Sequence, residues 1–443
     1  MSRLTLASYA SSLDRAIKSR DGLSLARAFA LLDSTPGSAS RLLLAALEQM
    51  DHGSNFRDGG NAVTAGGTPS IGVFSRTLKQ EWADLATAHV AALIALNPLS
   101  DRTMSRLAPD PVLAFQRQHE VVNILYRYLI SSRDPSTGWC LELLYKVCED
   151  LLVVAQLADS SLVRQQQKPG KLEEASRSLQ KCFSCCLNDR AGDWGTSRKM
   201  GTYHLATLLF KTYFKLNSTA LCKNIIRGIQ AAELPALDKF PRAHQIEYTY
   251  YMGVFAFLRE EYTEAERKFT DCLEGIHRKA KRNISLILDY LIPLLLLRGS
   301  RPSDKLLQRQ PAHRALFLPF IVAMKEGNVR SYDAQLEREE KRLMERGTWL
   351  VVERAREVCV RRLLKKTWIL QGKPSRVSIE TFRGALNFAL QPDLPADERT
   401  PKGRYDKEEM ECLLANNINK DLIKGYISHA HGIVVLSKEK PFP

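Results

Sequence analysis

Apolar positions recur at helical spacing through most of the first 370 residues. Residues 4–32 follow that period, with a break at Asp21-Gly22. Residues 51–74, DHGSNFRDGGNAVTAGGTPSIGVF, lose it and are rich in Gly, Asn, Ser and Thr, which predicts a mobile loop. The pattern predicts further helices at about 75–96, 112–132 and 138–158, and QQQKPG (165–170) reads as a short connector.

From about 171 to 345 the pattern predicts stacked helix pairs, each burying the face its neighbour exposes. The clearest pair is EYTYYMGVFAFLREEYTEAERKFTDCL (247–273). Gly253 and Ala265 are small enough to let two helices approach, and Phe269 fills the space between them. A looser pair spans 200–231, with Ala220 and Cys222 as its small residues. The stretch 284–297 is the longest apolar run, but Asp289 and Pro293 interrupt it. It is too short for a bilayer, which needs about 20 residues, and it predicts a buried helix.

After Lys373-Pro374 the period changes. Val377-Ser378 predicts a helix start, with Ser378 as cap, Val377 stapled to Phe382, and Phe382, Ala385, Leu386 and Ala389 buried. QPDLPADERTPKGRY (391–405) reads as a polar loop. Asp406 and Glu409 then form a D-x-x-E capping box before a helix whose apolar face is Met410, Leu413, Leu414 and Ile418. Two β-rich runs, 423–428 and 433–437, flank His429-Ala430-His431-Gly432, a hairpin with glycine at its turn. Helix, loop, helix, hairpin predicts a winged helix. The expected fold is mainly α: a right-handed TPR-like superhelix of helical pairs followed by a C-terminal winged helix. The expected domains are 1–170, a helical region carrying the 51–74 loop; 171–372, the helical repeats; and 373–443, the winged helix.

With 44% hydrophobic and 26% charged residues, the chain can build an ordinary globular core. Its net charge of +15 favours acidic partners: nucleic acid, an anionic membrane surface or an acidic protein. Nine cysteines, an odd number, with no apolar signal segment at the N-terminus, point to reduced thiols in cytosol or nucleus.

Phosphate-cradling and hydrolase motifs are missing, and nothing in the pattern supports catalysis or a cofactor. His429 and His431 are spaced to share a metal on a strand, but no acidic ligand with a metalloprotease spacing follows, and a wing tip facing nucleic acid is the better reading. KCFSCC contains Cys182, Cys185 and Cys186 without a second ligand pair, so these thiols read as small apolar side chains on a helix face. Residues 341–376 hold eleven Lys or Arg against three Glu. Arg361, Arg362, Lys365 and Lys366 cluster there beside Trp368, and Arg278, Lys279, Lys281 and Arg282 form a second cluster. Such groups suit phosphates through counterion release; the alternative is a solvated helix face, with some of the α-helical cations snorkelling over core. In the winged helix, Asn416, Asn417 and Lys420 leave the apolar stripe and are expected to face out. Lys424, Tyr426, His429, His431, Lys438 and Lys440 are placed to surround a phosphate backbone. Residues 401–443 nevertheless carry seven basic against six acidic side chains, so this element is nearly balanced, and subunit contact is the alternative.

Four phrases carry a resemblance: YYMGVFAFLREEYTEAERKF (250–269), YLIPLLLLRG (290–299), AMKEGNVRSYDAQL (323–336) and IKGYISHAHGIVVLSKEKPFP (423–443), with AIKSRDG (16–22) extending it loosely. In these the chain resembles the PCI-domain family, in particular the COP9-signalosome-subunit-12-like proteins and the PCI subunit of the TREX-2 mRNA-export complex. The segments 51–74 and 391–405 look like departures from the family pattern. The resemblance implies a non-catalytic scaffold in a nuclear complex, also present in cytoplasm, that couples transcription to mRNA export, or a subunit of a signalosome-like particle. It implies a second PCI protein docked on the winged helix, for which Tyr426, Ile427, Ile433 and Val435 on the hairpin are the candidates. It further implies a joint platform for RNA or DNA, a small acidic disordered partner of the proteasome-lid and export type, and no membrane contact. The acidic partner and nucleic acid compete to explain the same basic residues.

Overall fold

A computed structural model describes residues 5–32, 38–53, 72–97, 109–132, 136–191, 193–390 and 405–443. Of the segments expected to be loops, 54–71 and 391–404 lie outside the described residues. Packing separates two units, Met1–Tyr248 and Thr249–Pro443. The described residues are mainly helical, as the 3.6-residue period predicts.

The first unit contains α1 (Leu6–Lys18), α2 (Gly22–Ala28), α3 (Ala39–Gly53), α4 (Gly72–Thr77), α5 (Gln80–Leu96), α6 (Pro111–Ser131), α7 (Leu141–Arg164), α8 (Lys171–Leu187), α9 (Thr202–Lys215) and α10 (Ala220–Ala231). The next helix, α11 (Arg242–Leu258), spans the division. Here α5 packs on α6, α6 on α7, and α7 on α2 and α8, so the QQQKPG connector joins two helices in mutual contact. Side-chain caps start two of these helices: the Asp110 side chain accepts from the amides of Val112 and Leu113 ahead of α6, and the Asp21 side chain accepts from Ser24 ahead of α2, at the expected break. Both ends of the expected 51–74 loop are helical, because α3 runs through Gly53 and α4 starts at Gly72 with Phe74 buried. In the 200–231 pair Cys222 is buried as expected, whereas Ala220 is exposed because it begins α10 on the solvent side.

The second unit continues with α12 (Tyr262–Gly275), α13 (Lys281–Leu297), α14 (Asp304–Arg309), α15 (Pro311–Glu326), α16 (Val329–Glu345), α17 (Trp349–Arg354) and α18 (Arg356–Leu370). The expected close approach is present: a Cβ on Gly253 would lie 3.0 Å from the Phe269 ring, which stacks on Tyr290 with centroids 5.2 Å apart. Helix α13 is the buried helix expected at the apolar run, and no described helix is long and apolar enough to cross a membrane. Gly327 ends α15 in the left-handed region, φ +71°, and a Cβ there would sit 2.8 Å from the amide nitrogen of Leu363. Only glycine fits both demands, and the fit lays α18 against the C-terminal end of α15.

The chain closes with β1 (Arg376–Ser378), α19 (Ile379–Leu390), α20 (Lys407–Asn419), β2 (Gly425–Ser428) and β3 (Ile433–Leu436). The antiparallel sheet has the order β1-β3-β2. This is the winged-helix layout, with one addition. Val377 belongs to a strand rather than to a helix start, because its backbone pairs with Val434, and Ser378 accepts a hydrogen bond from the Glu380 amide as α19 begins. The Asp406–Glu409 capping box forms as expected, with both reciprocal bonds present. Gly432 turns the hairpin at φ +61°.

Candidate nucleic-acid and partner interfaces

The four cations of α18 are engaged by backbone. Arg361 donates to the carbonyl of Leu422 at 3.0 Å, and Lys365 to that of Phe442 at 3.1 Å. Arg362 and Lys366 donate to the carbonyls of Lys325 and Glu326 at 3.3 and 2.6 Å. Those last two are orphan carbonyls at the C-terminal, partially negative end of α15, where a cation adds about 0.3–1 kcal/mol. Phe442 is buried beside Trp368, with ring centroids 5.6 Å apart, and the Pro441 carbonyl accepts from the Lys424 amide at 2.8 Å. The cluster therefore clasps the end of α15, the turn after α20 and the final residues of the chain. Carbonyl acceptors leave the charge uncancelled: burial lowers the pKa of Arg361 and of Lys365, and the neighbouring guanidinium groups lower it further. Only Arg362 and Lys366 are exposed.

The second cluster has a different character. Arg278, Lys279, Lys281 and Arg282 are all exposed and have no carboxylate within ion-pair distance among the described residues. Lys281 and Arg282 occupy the first turn of α13, which holds no acidic residue. Cations there oppose the helix dipole, so their placement is not explained by helix stability.

In the winged helix the structure sorts the expected residues into three groups. Lys424, Lys438 and Lys440 are exposed, and Asn416 faces out as expected. Lys420 is held by Glu357 at 2.6 Å, so its charge is cancelled. Asn417 is the correction: it is 1% exposed, and its side-chain amide donates to the Leu413 carbonyl at 2.8 Å. Its position explains this, since it lies seven residues after Met410 and three after Leu414, on the buried stripe. The cap and first half of α20 carry Asp406, Glu408, Glu409 and Glu411 against Lys407. That balance disfavours insertion of α20 into a groove between phosphates.

The paired histidines sit on a turn between the strands. His429 faces Glu411 at 2.8 Å, and His431 meets the Ser428 hydroxyl at 3.1 Å. Among the described residues no group of three His, Cys, Asp or Glu side chains is arranged to hold a metal ion. Cys182 and Cys186 are buried in α8, and the sulfur of half-buried Cys185 accepts from Arg198 at 3.4 Å.

On the sheet, cross-strand pairing decides which apolar residues are available. Tyr426 pairs with Val435, and Ile433 with Ser428, on the outer face. Tyr426 is 62% exposed. Ile427 pairs with Val434, which is fully buried, and so lies half-buried on the core-facing side. Among the described residues β2 is an edge strand of this sheet, with its second side unpaired.

Comparison with known proteins agrees with this architecture. The PCI domain family matches residues 329–438. A CSN12 homolog of Mycosarcoma maydis is 37% identical over 400 residues, covering 83% of this chain and 85% of that protein. A CSN12 homolog of Schizosaccharomyces pombe is 34% identical, covering 83% and 84%. The PCI domain-containing protein 2 homolog of Drosophila melanogaster is 33% identical, covering 83% and 86%. With a winged helix in the matched region and similarity running over most of both chains, the protein belongs to the PCI-domain family of the CSN12 homologs and PCI domain-containing protein 2.

Proposed function

We propose that this protein is a non-catalytic scaffold subunit of a nuclear PCI complex that couples transcription to mRNA export and contributes to RNA or DNA binding. The observation that carries the nucleic-acid part is the exposed, uncancelled quartet Arg278, Lys279, Lys281 and Arg282. Exposed Lys424, Lys438 and Lys440 in the wing add to it. Counterion release from phosphates gives such groups their affinity without base readout. The outer sheet face, with Tyr426, Val435 and Ile433, and the unpaired β2 edge support docking of a second PCI protein.

The engaged state of the α18 cations favours a second reading, in which the basic surface serves architecture and grips a small acidic disordered partner without nucleic acid. The two readings part on the exposed quartet. Fluorescence anisotropy of the purified complex with a single-stranded RNA and a DNA duplex is the measurement. Reversing Arg278, Lys279, Lys281 and Arg282 to Glu is expected to weaken nucleic-acid binding at least about tenfold and to reduce the salt slope by about 3. Unchanged affinity and slope would discard nucleic-acid contact through this cluster. Reversal at α18 is a poorer test, because it also removes the clasp.

A further inference from the structure

Trp194 lies on the loop that joins α8 to α9, in the first unit, and is 44% exposed. The other four tryptophans are buried or half-buried. The loop is braced around it. Buried Asp189 accepts from the Ser197 hydroxyl and the Arg198 amide, each at 2.8 Å, and from the Arg198 guanidinium at 2.7 and 3.1 Å. The Thr196 carbonyl accepts from the Gly138 amide at 2.9 Å, and a Cβ on Gly138 would lie 2.4 Å from that oxygen, so only glycine permits the contact. The Asp193 carboxylate accepts from the Gly195 amide at 3.1 Å and from the Thr196 hydroxyl at 3.3 Å. A large apolar ring is thus held partly in water by a fixed frame, and folding gains nothing from the part left exposed.

Lys199 places its ammonium 5.3 Å over the indole and donates to the Glu233 carbonyl at 3.0 Å, which fixes the ammonium without cancelling its charge. Arg190 is exposed on the same loop, and Arg177 and Lys181 are exposed one turn apart on a face of α8. None of these cations has a carboxylate within ion-pair distance among the described residues. An aromatic plane beside uncancelled cations suits single strands, because every base has a face to stack and the cations take the phosphates whatever the sequence. We propose that Trp194 stacks on an unpaired base of a single-stranded nucleic acid, with Lys199 and Arg190 on the flanking phosphates and the Arg177–Lys181 face of α8 on the strand beyond. The proposal rests on the nucleic-acid reading above but adds a site of different chemistry: the 278–282 quartet offers charge, whereas Trp194 requires an unpaired base.

The probes are a fluorescein-labelled uridine dodecamer, its deoxythymidine counterpart, an abasic strand with the same phosphates, and a DNA duplex, each titrated with the full chain by anisotropy. Trp194→Ala is expected to weaken both base-bearing single strands at least about fivefold and to leave the abasic strand and the duplex within about twofold. Trp194→Phe is expected to recover most of the loss, and Lys199→Glu to weaken all the probes through charge. The melting temperature is expected to stay unchanged in each variant, since the indole is exposed. Relative affinity for uridine and deoxythymidine strands separates RNA from DNA as the source of the base. Binding by the parent chain that is indifferent to Trp194→Ala would assign Trp194 to a protein contact and overturn the stacking site, as would an equal loss on the abasic strand; either result leaves the quartet reading standing. A parent chain that binds none of the probes would overturn both.

Discussion

Single residues set several local outcomes against their chemical type. Asn417 looks like a surface residue by its side chain, but its spacing from Met410 and Leu414 places it in the core stripe. His89 is a sharper instance. It is completely buried in α5, neither ring nitrogen has a partner among the described residues, and its ring packs 5.1 Å from Phe29. Burial lowers its pKa from 6.5 to about 3. A depressed value means the unfolded chain takes up the proton first as pH falls. The stability tied to neutral His89 is therefore complete above pH 6.5 and is lost progressively as pH falls toward 3. Moving from pH 7 to about pH 4.5 is expected to remove roughly 2–3 kcal/mol through this residue. His89→Leu should flatten that part of the profile, as followed by urea denaturation at both pH values; an equally steep loss in the variant would refute the assignment. His244 is depressed to about 4, by burial first and by neighbouring His204 second, and adds acid sensitivity of the same sign.

At the scale of elements, the helices were legible because their signals are local. Apolar spacing placed α6 and α13, and a capping box placed α20, within a few residues of where they stand. Strand β1 was not legible, since three residues carry no period of their own and become a strand only by pairing with β3. The role of α18 was hidden for a related reason. Its four cations find acceptors 61, 37, 77 and 40 residues away in the chain. The clasp makes a prediction for its outermost contact. Phe442→Ala removes a buried ring beside Trp368 and is expected to weaken tail docking by about 3 kcal/mol. Amide exchange in 424–443 should then accelerate while α12 and α13 keep their protection. If exchange in the tail is unaltered, Phe442 does not hold it.

At the scale of the molecule, a net charge of +15 implied acidic partners without saying where they bind. The structure divides that charge into cations used on backbone carbonyls, cations cancelled by carboxylates, and an exposed remainder at 278–282 and in the wing. Thiol chemistry gives a check on the whole arrangement. All nine cysteines are free, and only Cys412 is exposed. Native protein is expected to show one fast-reacting thiol per chain and the unfolded protein nine, counted by mass after alkylation. Fast alkylation of Cys148, Cys182 or Cys186 in the native state would contradict the packing of α7, α8 and α9 around them.

The sequence by itself determined the helical class, the winged-helix ending and the family, because apolar period, caps and turn glycines act over a few residues and recur in phrases. Only the tertiary structure decided which basic residues are available and that Ile427 and Asn417 turn inward. The physical reason is that charge and hydrogen-bonding capacity are settled by partners, and those partners lie tens of residues apart until the chain folds.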